Sequence, residues 1–180
     1  MAGFEYRGQL NGAQNPVILT VPIVGSGTVK VGDAVYNAPG ATRITSSSAN
    51  VLGIVVGIVD RFGIDLDNTD PANYDGTWTS STKTYVAAAD NMTDKKVAVQ
   101  VIADENALFY NDADGNFTDP ADNFLFVKCA DHDQIDENTT SATVGQFFIV
   151  KLDPDGDGDA SKCIVKVALS QLAAFEPETA

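Results

Sequence analysis

Apolar and polar residues alternate with a period of two along much of this chain, the spacing of half-buried β-strands rather than helices. Residues 96–104 are the clearest case. Val97, Val99, Val101 and Ala103 share one face, while Lys96, Gln100 and Asp104 fall on the other with Ala98 and Ile102. Val17, Leu19, Val21 and Ile23 alternate in the same way. Pro22 lies within that run and has no N–H to give to a ladder, which predicts an edge strand or a bulge. Residues 28–36 align Val29, Val31 and Val35, with a turn or bulge at Gly32-Asp33. Further strands are predicted over 84–88, 107–110, 124–129, 146–152 and 162–169, about ten in all. The run Val51 to Val59 differs because it is apolar on both faces, as a strand covered on both sides would be. Gly53 and Gly57 within it predict close approach of another backbone, or a bend.

Between these runs lie turn formers, chiefly Asp, Asn, Gly and Ser. Residues 1–16 contain three glycines and read as an N-terminal arm carrying isolated aromatics, Phe4 and Tyr6. Residues 60–83 interrupt the rhythm with Asp60, Asp65, Asp67, Asp70 and Asp75, and predict a long loop excursion of the functional or mobile kind. Its Trp78, the only tryptophan, reads as an anchor folding the loop onto the body. Helical signals are confined to 120–126 and one terminal turn at 170–175. The expectation is an all-β chain: a single antiparallel β-barrel or β-sandwich domain over 17–175, with elaborated acidic loops and a C-terminal tail at 176–180.

Charge narrows the range of partners. The chain has 180 residues and a formal net charge of -14. Residues 1–59 hold Arg7, Lys30 and Arg43 against Glu5 and Asp33, a net of +1, so the remainder carries −15. Nucleic acids and anionic membranes are disfavoured as partners, because neither would find a basic patch. The N-terminus lacks the basic-then-apolar layout of a signal peptide, and the longest apolar run is too short to span a bilayer. Cys129 and Cys163 allow one disulfide. Two free buried thiols are the expectation, since a core this large needs no covalent staple.

The stretch Asp153-Pro-Asp155-Gly-Asp157-Gly158-Asp159 matches the opening of a calcium-binding EF-hand loop. Position twelve is Ile164 rather than a glutamate, and the flanks read as strands. The reading is therefore a solvated hairpin loop, with calcium binding no tighter than the millimolar class. Asp112, Asp114 and Asn116 repeat the pattern more weakly. His132, the only histidine, reads as an exposed loop residue in Asp131-His132-Asp133. A Ser/His/Asp or Cys/His site would have to be built around it. Phosphate-loop, dinucleotide and C-x-x-C patterns are absent, so the expectation is a protein that is not an enzyme and carries no cofactor.

Three segments, in order, resemble small virion proteins of tailed bacteriophages, the head decoration (cement) proteins. They are Val29-Lys-Val-Gly-Asp33-Ala-Val35-Tyr36, Val51-Leu-Gly53-Ile-Val-Val-Gly57-Ile-Val59, and Val97-Ala-Val99-Gln-Val101-Ile-Ala-Asp104-Glu-Asn106-Ala-Leu108-Phe109. The resemblance implies an all-β body made in the host cytoplasm that adheres to the outside of an assembled capsid and strengthens it. Its partner would be the major capsid protein, and it would form a homo-oligomer, with a trimer favoured. Desolvation argues that the charge-poor residues 1–59 supply the contact, with Phe4, Tyr6 and Arg7 of the arm as partner-binding residues. The alternative is a secreted or surface β-sandwich binding module for carbohydrate. Its platform would be Trp78, Tyr74 and Tyr85, and its structural calcium would sit at Asp153, Asp155, Asp157 and Asp159.

Overall fold

The computed structural model describes residues 3–10, 12, 15–23, 27–37, 41–44, 50–88, 97–118 and 120–168. Lys96, the turn expected at 170–175 and the tail at 176–180 lie outside them. Among the described residues fourteen strands follow one another. The first seven are β1 (Glu5–Gln9), β2 (Ile18–Pro22), β3 (Thr28–Lys30), β4 (Ala34–Asn37), β5 (Ala41–Arg43), β6 (Gly53–Val59) and β7 (Thr77–Thr79). The rest are β8 (Thr84–Val86), β9 (Ala98–Ile102), β10 (Ala107–Asp112), β11 (Phe126–Asp131), β12 (Gln134–Ser141), β13 (Phe147–Leu152) and β14 (Lys162–Val167). Among the described residues the only helical element is a single 3-10 turn, Pro71–Asn73. The window 120–126 forms turns instead and leads into β11.

The strands build three antiparallel sheets. A six-stranded sheet runs β1-β10-β14-β13-β11-β12, a five-stranded sheet β2-β9-β6-β4-β5, and a three-stranded sheet β3-β8-β7. Among the described residues none of the three closes on itself, and the arrangement is that of a β-sandwich. The five-stranded sheet is covered on both faces. One face contributes Ala34, Ile54 and Ile102 to a core shared with Phe109, Val127, Phe147, Ile149 and Val165 of the six-stranded sheet. The opposite face sends Val35, Val55, Val99 and Val101 into a second core with Val29 and Tyr85 of the three-stranded sheet. Successive side chains of a strand point to opposite faces. A middle sheet therefore needs strands that are apolar throughout, which is why 51–59 reads as it does.

The glycines of β6 act as expected. A Cβ on Gly53 would lie 2.1 Å from the carbonyl oxygen of Ile102, so only glycine lets β6 approach β9 there. The β6–β9 register slips between Val55 and Gly57, which turns Ile58 toward the second core. Pro22 likewise sits on an edge strand, since β2 ends the five-stranded sheet.

Two expectations are corrected. Residues 1–16 are not simply an arm, because Glu5–Gln9 pairs with β10 as the edge of the six-stranded sheet. Phe4 is only 5% exposed and stacks on Phe147, with ring centroids 4.8 Å apart. Tyr6 packs edge-on against Phe109 at 6.1 Å. These aromatics therefore do have a core to join. The excursion 60–83 is an ordered lobe rather than a loose loop, and carboxylates organise it. Asp60 accepts from the backbone N–H groups of Phe62 and Ile64 and from the Thr69 hydroxyl. Asp70 caps the 3-10 turn through the N–H of Ala72. Asp67 accepts from Trp78 Nε1, Ser80 Oγ and Lys83 Nζ.

Candidate functional site

The Gly-Asp turn between β3 and β4 gathers groups from three separate parts of the chain. Gly32 has φ +94, a conformation L side chains rarely adopt. Its N–H donates to Val55 and its carbonyl accepts from Phe4, so the turn clips the N-terminal segment to the middle sheet. A Cβ on Gly32 would press on the Phe4 carbonyl oxygen at 3.3 Å. Asp33 follows and is fully buried. Its Oδ2 accepts from the N–H of Lys30 at 2.7 Å and from Arg43 Nε at 2.6 Å. Its Oδ1 lies 3.0 Å from His132 Nδ1.

His132 comes from the far side of the sandwich. With Asp133 it forms the two-residue turn between β11 and β12, since Asp131 pairs with Gln134. Its carbonyl accepts from the N–H of Ala34, and Asn111 of β10 holds the turn from beneath. His132 is thus a bridge between sheets, not the exposed loop residue expected from the sequence. Burial raises the Asp33 pKa above the ordinary carboxylate value, and Arg43 and His132 oppose that shift.

A buried aspartate on a histidine Nδ1 is two-thirds of a nucleophile-activating triad. Here, however, Nε2 faces Asp131 Oδ1 at 3.7 Å, not a hydroxyl or thiol. The geometry is a chain of polar contacts from Arg43 through Asp33 to His132 and Asp131. Cys129, near in sequence, is fully buried, and burial holds its thiol well above the ordinary range. Cys163 is pushed up to about 12 for the same reason. Both cysteines are free, as expected. Beside Arg43 a cavity of about 200 Å³ is lined by Ile23, Gly27, Thr28, Val29, Ala41 and Thr42. It is smaller than the pockets that enclose drug-sized ligands.

The EF-hand-like loop behaves as a hairpin loop. Asp153 accepts from the N–H groups of Asp157 and Gly158, and Asp159 from the N–H and the hydroxyl of Ser161. Lys162 pairs with Asp157, and the pKa values of Asp157 and Asp159 are lowered chiefly by these hydrogen bonds. Among the described residues, two other sets of side chains bring possible ligand atoms close together. Asp131, His132 and Asp133 form one set, and Asp114, Asp136 and Glu137 another, each with ligand atoms within 4.8 Å of one another. A hydrogen bond shared with Asp114, helped by burial, raises the Glu137 pKa. Asp112 instead accepts from the Tyr110 hydroxyl.

The aromatic platform of the carbohydrate reading is not assembled. Tyr85 is fully buried and donates to the Asp75 carbonyl, while Trp78 and Tyr74 pack against the second core. Trp78 is the anchor it was expected to be. Of the three residues expected to bind a partner, Arg7 alone has a well-exposed side chain, at 46%, and it lies over the Tyr110 ring.

The signal for the Asp33 bridge was present as Gly32-Asp33. Its partners Arg43 and His132, distant in sequence, carried none. No protein-family model matches the chain, and neither a curated protein nor a solved structure was found to be similar to it.

Proposed function

We propose that this chain is a non-enzymatic structural protein of a virion, binding the outer surface of an assembled phage capsid and stabilising it through contact with the major capsid protein. One observation carries the reading. The three segments that resemble decoration proteins, scattered along the sequence, come together in the fold. They supply β4, β6 and β9, adjacent strands of the middle sheet; the first also supplies part of β3 in the three-stranded sheet, and the third continues through a turn into β10 of the six-stranded sheet.

The chemistry is compatible with this role. Asp33, Asp60, Asn111 and Gln146, the buried polar residues, each hold backbone or side-chain partners that fix the architecture. A net charge of -14 opposes contact with the packaged nucleic acid and suits an outward-facing protein. The shell contact would fall in the charge-poor residues 1–59. Phe4 is excluded from it, because its ring is already inside the core.

The test is co-sedimentation of the purified chain with empty shells assembled from the major capsid protein of the same genome. Saturable binding at a fixed ratio to capsid subunits is expected. A chain that stays in the supernatant at every concentration, or a genome without such a capsid gene, would overturn the proposal.

A further inference from the structure

We infer that the carboxylates of Asp114, Asp136 and Glu137 form a binding site for one calcium ion, which ties the turn after β10 to the bulged edge strand β12. The inference rests on this cluster alone and not on the capsid reading.

Backbone contacts bring the three groups together. Asp114 follows β10, and its N–H donates to the Ile135 carbonyl of β12 at 2.9 Å. The N–H groups of Ala113 and Phe117 donate to the carbonyls of Ser161 and Ala160, so the turn is pinned on both sides of Asp114. Successive residues of a regular strand point to opposite faces. The β11–β12 register slips beyond Asp136, however, because Lys128 pairs with Asp136 and Phe126 with Ser141. Such a bulge re-aims side chains and lets Asp136 and Glu137 approach one point. Each of the three carboxylates then offers an oxygen within 4.8 Å of the others. Calcium–oxygen bonds of about 2.3–2.6 Å set ligands on opposite sides of one ion about 5 Å apart, so a single ion fits among them.

Closeness of carboxylates alone makes no site, and two further observations point to a cation. The first is an orphaned atom. Glu137 Oε2 is shut off from solvent and has no hydrogen-bond partner, the only side-chain nitrogen or oxygen of which that holds among the described residues. A buried oxygen without a donor or an ion is costly. Its neighbours are provided for: Glu137 Oε1 accepts from Asn138 Nδ2 at 2.7 Å, and Asp136 Oδ1 from the Asn138 N–H at 3.0 Å. The second observation is a cradle. A Cβ on Gly115 would lie 2.8 Å from the same Glu137 Oε2, so the carboxylate occupies space that glycine alone leaves open.

Charge gives the same answer. Lys128 lies opposite Asp136 in the ladder, yet among the described residues no lysine or arginine forms an ion pair with any of the three carboxylates. Three like charges at this spacing repel one another. The hydrogen bond between Glu137 and Asp114 lasts only while one of them keeps a proton, so a proton is the competitor that calcium displaces. The donor set is oxygen alone. That suits calcium rather than zinc or copper, whose sites are built on imidazole and thiolate.

Isothermal titration of the chelator-treated full chain with calcium chloride near neutral pH should show one ion per chain, with a Kd on the order of 0.1–1 mM. The melting temperature should rise by about 5–10 °C when calcium reaches about 100 times Kd. Glu137→Gln keeps the side-chain shape and removes one charge. It should weaken binding by about tenfold or more, since ligand charge sets affinity at such sites. In chelator it should melt no lower than the wild type, because repulsion is relieved; in calcium it should melt below it. A merely structural role for Glu137 would not reverse that order. If the variant folds poorly, Asp114→Asn, at an exposed position, should weaken binding to a similar extent. Asp155→Asn combined with Asp157→Asn, in the hairpin loop after β13, should leave binding unchanged. No saturable binding up to about 10 mM calcium, equal binding by the wild type and Glu137→Gln (an adventitious ion only), or loss of binding with the hairpin-loop pair instead would overturn the inference.

Discussion

Replacing Phe4 by alanine tests whether the N-terminal segment is part of the folded body. The ring is 5% exposed, stacks on Phe147 with an interplanar angle of 18°, and is held in place by the N–H of Phe4 donating to Gly32 at 2.8 Å. Truncating a buried phenylalanine costs about 3–5 kcal/mol, part from lost transfer free energy and part from the cavity left behind. Phe147 is itself fully buried, so the cavity would form against a side chain with little room to collapse into it. For a chain of this size each kcal/mol lowers the melting temperature by about 2–4 °C, so a fall on the order of 10 °C is expected. Arg7→Ala is the control. Its guanidinium is 46% exposed and pairs with Glu5, itself 64% exposed, and such pairs contribute no more than about 1 kcal/mol. Thermal and urea unfolding of the two variants beside the wild type would decide. A Phe4→Ala protein melting within about 2 °C of wild type would mean that residues 1–9 are a detachable arm after all.

Other outcomes follow from the same contacts. Gly53→Ala forces a Cβ onto the Ile102 carbonyl of the neighbouring strand; it should destabilise by about 1–3 kcal/mol or more, read by urea denaturation. His132→Ala leaves buried Asp33 one partner short and should cost about 1–3 kcal/mol by the same measurement. Asp67 is held down to about 2, first by the hydrogen bond from Lys83 and then by those from Ser80 and Trp78. A depressed carboxylate pKa stabilises the fold above the unfolded value of about 3.9 and loses that contribution as pH falls toward 2. Carbon-detected NMR titration should place Asp67 near 2, and Lys83→Met should return it toward the ordinary range. Cys129 and Cys163 should resist thiol reagents in the native protein and both react in denaturant, because burial keeps each thiol protonated.

What was legible in the sequence was what periodicity encodes. The alternation of 97–103, the doubly apolar 51–59 and the edge position of Pro22 all reflect which faces meet water. Four strands escaped that logic. β12 reads Gln-Ile-Asp-Glu-Asn-Thr-Thr-Ser and is polar because it is an outer edge with one fully buried residue, Ile135. β7 and β5 have three residues each, too few to show a period. β1 hid among glycines, and its aromatics looked isolated because Phe109 and Phe147, the residues they pack on, lie far along the chain. The Asp33 bridge was half visible for the same reason. Its turn is local, while the histidine that completes it is 99 residues away. Acidic residues in 60–83 looked like solvated loop chemistry, whereas several cap backbone N–H groups of their own lobe.

Capsid binding would be seen most directly by electron cryomicroscopy of shells assembled from the major capsid protein of the same genome, reconstructed with and without this chain. The expected result is extra density on the outer surface alone, at symmetry-related positions bridging neighbouring capsid subunits. That density should accept the sandwich with the three-stranded sheet and the charge-poor N-terminal residues fitted as a rigid body. Identical reconstructions with and without the chain, or density confined to the inner surface against the packaged nucleic acid, would contradict it.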